Sequence, residues 1–113
     1  VGCKDLYDVE LYGKQDPYVV LQYGNQQHRT MVHQDGHITP VWNETFQLQL
    51  KGQVSPLECH VWDKNKLKDS LIGHCSVDIQ PALTAEAWDT WHPLITKRQT
   101  KKGRLRLVMK YFS

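Results

Sequence analysis

Apolar and polar residues alternate with a period of two along five stretches of the chain. Val19, Leu21 and Tyr23 share one face, and Tyr18, Val20 and Gln22 share the other. The same rhythm runs through Phe46, Leu48 and Leu50, then through Leu57, Cys59 and Val61. It returns in Cys75, Val77 and Ile79, and again in Leu105, Leu107, Met109 and Tyr111. A pleated strand sends successive side chains to opposite faces, so each stretch predicts a strand with one buried and one wet face. Turn-forming clusters separate the stretches: Gly24-Asn25, Asp35-Gly36, Thr39-Pro40, Gly52 to Pro56 and Lys102-Gly103. Short strands punctuated in this way predict an antiparallel sandwich or barrel. Ala82 to Trp88 predicts one short helix, and Val1-Gly2-Cys3 reads as the tail of a truncated first strand.

Composition narrows the picture only modestly. The 113 residues fit one domain, with 40% apolar and 23% charged residues as in ordinary globular proteins. The net charge is +2, but from Lys97 to Lys110 every charged residue is basic. Cys3, Cys59 and Cys75 cannot all pair within the chain, and their spacing fits no zinc framework. They read as buried free thiols of a reducing, cytoplasmic setting. No apolar run approaches the ~20 residues that a bilayer-spanning helix needs, so membrane contact is expected to be peripheral.

Four segments in order resemble the C2 domain family, a calcium- and phospholipid-binding β-sandwich module. They are Gly13-Lys14-Gln15-Asp16-Pro17-Tyr18-Val19 and Thr39-Pro40-Val41-Trp42-Asn43-Glu44-Thr45-Phe46. Then come Val61-Trp62-Asp63-Lys64-Asn65 with Leu71-Ile72-Gly73, and Trp91-His92-Pro93-Leu94 with Gly103-Arg104-Leu105-Arg106-Leu107. The resemblance implies a single all-β domain over residues 1–113, an eight-stranded antiparallel C2-type sandwich. The closing Gly-x-Leu-x-Leu strand looks like the permuted (type II) topology found in small C2-only proteins, including plant ones.

The resemblance also implies a place for a cation. Calcium takes six to eight oxygen ligands and favours clustered carboxylates. Asp16 before one predicted strand, and Asp63 and Asn65 after another, would converge at one end of the sandwich. Glu10 stands where the family has its first aspartate, and Ser70 replaces its last, with Asp69 alongside. The implied metal donors are thus Glu10, Asp16, Asp63, Asn65 and Asp69. Lys14, Lys64, Lys66 and Lys68 offset their charge, so calcium binding is expected to be weak or lipid-dependent. Those lysines are also the expected contacts to anionic lipid. By the same resemblance, Leu11, Tyr12 and Leu67 stand at the loop positions expected to insert into the headgroup region.

The function so implied is a peripheral phospholipid-membrane module, calcium-assisted through a reduced site. The alternative is a calcium-independent protein-interaction domain. On the face where some family members carry lysines, the chain has Val20, Gln22, Arg29 and Met31, so no phosphoinositide groove is expected there. The basic run near the C-terminus reads as a solvated face, or more sharply as a second patch for anionic lipid or phosphoprotein. Nucleic-acid binding is not expected, because no aromatic platform interleaves the cations. His28, His33 and His37 lie at a strand end and turn, which does not gather them on one face as a helix would. Ser55, Ser70, Ser76 and Ser113 lie in no nucleophile elbow, and no Gly-rich phosphate loop occurs. No enzyme and no small-molecule substrate are expected.

Overall fold

The computed structural model describes residues 2–10, 13–50, 54–84 and 87–111. Among them lie seven strands: β1 (Gly2–Lys4), β2 (Pro17–Tyr23), β3 (Gln26–Arg29), β4 (Leu57–Asp63), β5 (Ser70–Val77), β6 (Trp88–Ile95) and β7 (Lys101–Met109). One short helix, α1 (Gln80–Thr84), joins β5 to β6. The strands are hydrogen-bonded in the order β1-β7-β6-β5-β4-β2-β3, and every pairing is antiparallel.

The sheet folds at the β5–β6 junction, where a single pair, His74↔Ile95, connects its halves. Val19, Leu21, Cys59, Val61 and Ile72 from one half share a core with Leu94, Leu105 and Leu107 from the other. Val19, Val61, Ile72, Leu94 and Leu105 are wholly inaccessible to solvent. Burying each such side chain is worth about 1.5–3 kcal/mol. All three cysteines are free and buried in this core.

The alternation of Phe46, Leu48 and Leu50 packs these residues against the core, with Gln47 and Gln49 exposed. The stretch nonetheless forms no ladder with a neighbour, so the described residues hold seven strands where eight were expected. Gln26 supplies the pairing instead: its Nε2 donates to the Gln49 carbonyl at 2.6 Å, and its Oε1 accepts the Gln49 N–H at 2.8 Å. Period-two patterning reports which face is buried, not whether the backbone has a partner.

The helix also begins earlier than the apolar pattern predicts. Asp78 Oδ1 accepts the Gln80 N–H at 3.0 Å, and Pro81 suits a first helical turn. Trp88 opens β6 instead of closing the helix. Tyr111 is exposed, because β7 ends at Met109. Gly103 adopts φ 86° where β7 passes the segment after β1. A Cβ there would lie 3.0 Å from the Asp5 carbonyl oxygen and from Leu6 Cα, so only glycine fits without displacement.

Candidate functional site

β2 begins where β4 ends: Pro17 pairs with Asp63 and Tyr18 with Trp62. On the other side of β4, Asp63 pairs with Ser70, and a bulge makes Ile72 the extra residue opposite Val61 and Trp62. Residues 6–10, 13–16, 33–37 and 64–69 therefore gather at one end of the sandwich. Backbone bonds hold them there: Lys64 N–H to the Asp16 carbonyl at 3.0 Å, His37 N–H to the Gln15 carbonyl at 3.0 Å, and His33 N–H to the Pro17 carbonyl at 2.8 Å.

Asp63 and Asp16, 47 residues apart, meet directly, the Asp16 N–H donating to Asp63 Oδ1 at 2.8 Å. Asp63 has no solvent exposure, and its Oδ2 has no hydrogen-bond partner among the described residues. The Glu10 carboxyl approaches the same group. Two carboxylates are both acceptors and cannot bond unless one holds a proton. Burial first, then the Glu10 and Asp16 charges, push the Asp63 carboxyl up to about 7, against the opposing pull of the Asp16 N–H. Asp16 is oriented in turn, its Oδ1 accepting the Asp35 N–H at 2.7 Å.

The other two predicted donors belong to a second, adjacent cluster. Asp69 accepts the Tyr18 hydroxyl on Oδ2 and the Asn65 N–H on Oδ1 at 3.0 Å, with Lys64 Nζ 3.7 Å away. The Tyr18 hydroxyl, the Asn65 amide and the Lys64 charge hold the Asp69 carboxyl below its usual range. Asn65 donates through Nδ2 to the Lys68 carbonyl and to Ser70 Oγ, both at 3.1 Å. Arg29 stacks on the Tyr18 ring with its guanidinium 4.3 Å from the centroid. Glu10, Asp16 and Asp63 thus converge, while Asp69 and Asn65 are tied to loop and strand partners.

A buried, unpartnered carboxylate oxygen beside two further carboxylates suits a hard, oxygen-seeking cation, which would relieve the repulsion. Among the described residues no three His, Cys, Asp or Glu side chains are placed to hold a metal ion together. The nearest approach to such a donor set is Asp63 with Glu10 beside it, Asp16 reaching Asp63 through its backbone N–H.

Gln15 and Asp35 carry positions that the sequence pattern passed over. Gln15 is fully buried; it accepts the Val9 N–H at 2.8 Å and donates to the His37 carbonyl at 3.0 Å. It thereby clamps the Glu10 loop to the 30–40 segment. Asp35 belongs to a turn signal, and the turn forms, with Gly36 N–H bonded to the His33 carbonyl at 2.9 Å. What the pattern did not disclose is that this turn aims the Asp35 N–H at Asp16.

The family model for the C2 domain matches residues 1–94. The chain belongs to the C2 domain family. Synaptotagmin-5 of Arabidopsis thaliana is 33% identical over 116 residues, which cover all of this chain and 20% of that protein. Extended synaptotagmin-1 of Rattus norvegicus is 32% identical over 117 residues, again all of this chain and 10% of that protein. The chain therefore spans a fifth or less of these relatives. The calcium-bound pair of C2 domains from Extended-Synaptotagmin 2 superposes with a TM-score of 0.80 at 27% identity, over 96% of this chain and 41% of that one. A C2 domain of plant Extended Synaptotagmin 1 superposes with a TM-score of 0.82 over the whole chain and 92% of its own, which at 21% identity speaks for the fold alone.

On this C2 domain Leu67 projects fully into solvent in the 64–69 loop with exposed Lys64, Lys66 and Lys68 on either side, and Lys14 is exposed in the segment before β2. Leu11 and Tyr12, the other two expected insertion residues, lie outside the described residues. No helix of the described residues is long and apolar enough to cross a membrane.

Proposed function

We propose that this C2 domain is a binding module without catalytic function that docks peripherally on anionic phospholipid at the cytoplasmic face of a membrane, assisted by calcium held through a reduced donor set. The observation that carries this reading is the buried Asp63 carboxylate, whose Oδ1 takes the Asp16 backbone N–H at 2.8 Å while its Oδ2 has no hydrogen-bond partner among the described residues. Glu10 completes the group. These carboxylates repel one another at neutral pH, and bound calcium would supply the compensating charge there. Lipid phosphates would then add oxygens to the ion. Asp69 is already engaged by Tyr18, the Asn65 N–H and Lys64, and Asn65 supplies only a neutral oxygen, which weakens the site relative to a five-carboxylate arrangement.

Docking on lipid has a second support. Burying Leu67 in the headgroup region gains about 1.5–3 kcal/mol, and each nearby lysine adds about 1 kcal/mol on an anionic leaflet. Together they hold a transient complex. The relatives' names and the calcium-bound neighbour point the same way.

The engagement of Asp69 by Tyr18 and Lys64 favours the second reading, a protein-interaction domain that keeps the fold and does not respond to calcium. Sedimentation with phosphatidylserine vesicles separates the two. The membrane reading predicts more protein in the pellet with calcium than with chelator. Equal, substantial sedimentation removes calcium from the account, and none under either condition leaves the second reading.

A further inference from the structure

The outer face of β1, β7 and β6 carries a groove lined by Lys4, Pro40, Val41, Trp91 and Val108, set back along the strands from the carboxylate group. Lys4, Arg104, Arg106 and Val108 alternate along β1 and β7 with buried Cys3, Leu105 and Leu107, so they point away from the core. Across the strands, Trp91 stands opposite Arg106 and Arg106 opposite Gly2, while Arg104 lies between Pro93 and Lys4. The Trp91 ring has two cations over it, Lys4 Nζ at 5.0 Å and the Arg104 guanidinium at 5.6 Å from the centroid.

Gly2 keeps the middle of this face low. It bridges to Val41, and a Cβ on Gly2 would come within 3.2 Å of the Pro40 carbonyl oxygen. Val41 and Val108, 58% and 53% exposed, form the apolar walls. The resulting groove encloses about 420 Å³. Of the acidic side chains nearby, Asp89 is held by Arg106 and Asp5 lies 3.9 Å from Arg104. Lys4 has no carboxylate partner among the described residues, and Lys101, Lys102 and Lys110 are exposed along the same strand and its end.

We propose that this groove docks an acidic protein segment, an apolar side chain resting on Trp91 between Val41 and Val108 while flanking carboxylates meet Lys4 and Arg104. Charge complementarity selects an anionic partner, and the apolar walls ask for an anchor between its charges. Position selects a protein segment over a bilayer. Lys97 of the β6–β7 hairpin lines the same hollow as Asp69, which puts that hairpin at the loop end. Arg104 and Arg106 lie three and five residues along β7 from Lys101, so the groove stands back from that end by roughly 10–16 Å at ~3.3 Å per residue. Leu67 therefore leads the groove toward a membrane, and a chain segment lying across the strands can enter it from the side.

The probe is a short blocked peptide of glutamates flanking one leucine, titrated into ¹⁵N-labelled protein in chelator. The indole N–H of Trp91 and the amides of Arg106 and Val108 are expected to shift together, and Lys4→Glu with Arg104→Glu weakens binding roughly tenfold or more. A peptide with serine for leucine is expected to bind more weakly. No shift, shifts confined to residues 64–69, or equal binding by the charge-reversed variant overturns the proposal. So does a stronger response of Trp91 to phosphatidylserine vesicles in chelator, or self-association that buries the same residues. Should the double variant lose its thermal transition, Lys4→Glu alone is read in its place.

Discussion

Tyr18 donates its hydroxyl to Asp69 across 51 residues of chain, and this bond holds one of the expected metal donors against the sheet. Burial and the Asp69 carboxylate push the phenol up to about 12, so it remains a donor throughout the physiological range. Tyr18→Phe removes that donor and leaves the ring beneath Arg29. The expected outcome is a loss of about 1.5 kcal/mol of stability in chelator, together with a larger calcium-induced rise in vesicle binding because Asp69 is released. Urea unfolding and sedimentation measure the two effects; an unchanged calcium response means that Asp69 is not held in reserve.

Asp63→Asn keeps an oxygen for the Asp16 N–H and removes a buried charge from beside Glu10. In chelator at pH 8 the variant is expected to melt above wild type, by roughly 4 °C or more for each kcal/mol of repulsion relieved. A variant that melts lower at that pH contradicts a strained carboxylate cluster.

The same group sets a pH dependence. The folded-state pKa of Asp63 lies near 7, above its unfolded value, so the native state binds the extra proton between about pH 4 and pH 7. Its contribution to stability therefore falls as pH rises through that window and is flat above it. Half-buried His92 acts oppositely: burial lowers its pKa, so that its contribution is complete above the unfolded value near 6.5 and is lost as pH falls. Subtracting the Asp63→Asn curve from wild type isolates the first effect. The stability gap in chelator is expected to widen from pH 4 to pH 7 and then level off.

Gln15 bonds two backbone groups from separate segments of the loop end. Gln15→Ala leaves the Val9 N–H and the His37 carbonyl without this partner in a closed site, at a cost of about 2–4 kcal/mol. Urea midpoints report the loss, and amide exchange is expected to speed up in residues 6–10 before it does in β4. A uniform acceleration means that Gln15 stabilises the whole fold instead of one loop.

Leu67→Asp changes a fully exposed side chain, so the thermal midpoint is expected to hold. Vesicle affinity is expected to drop by roughly tenfold, the equivalent of about 1.4 kcal/mol of lost insertion. Unchanged affinity assigns membrane contact to the lysines alone.

The strands with one buried face were legible because burial and pairing coincide in β2, β4, β5 and β7. β3 was not, since Gln26-Gln27-His28-Arg29 lies on an edge with little to bury and is held by register against β2. Phe46 to Leu50 shows the reverse case, a buried face whose backbone is met by the Gln26 side chain. At the candidate site, the placement of Asp16 and Asp63 at strand termini was enough to bring them together. The diversion of Asp69 to Tyr18 was invisible, because it depends on a tyrosine whose strand position alone gives no hint of where its hydroxyl ends.

Thermal melting of the wild-type chain in millimolar calcium against chelator tests the shared carboxylate site most directly. An ion that binds only the folded state raises the midpoint by mass action. The account predicts a rise for wild type at pH 7.5 and none for Asp63→Asn. A wild-type midpoint that does not move, or an equal rise in the variant, contradicts it.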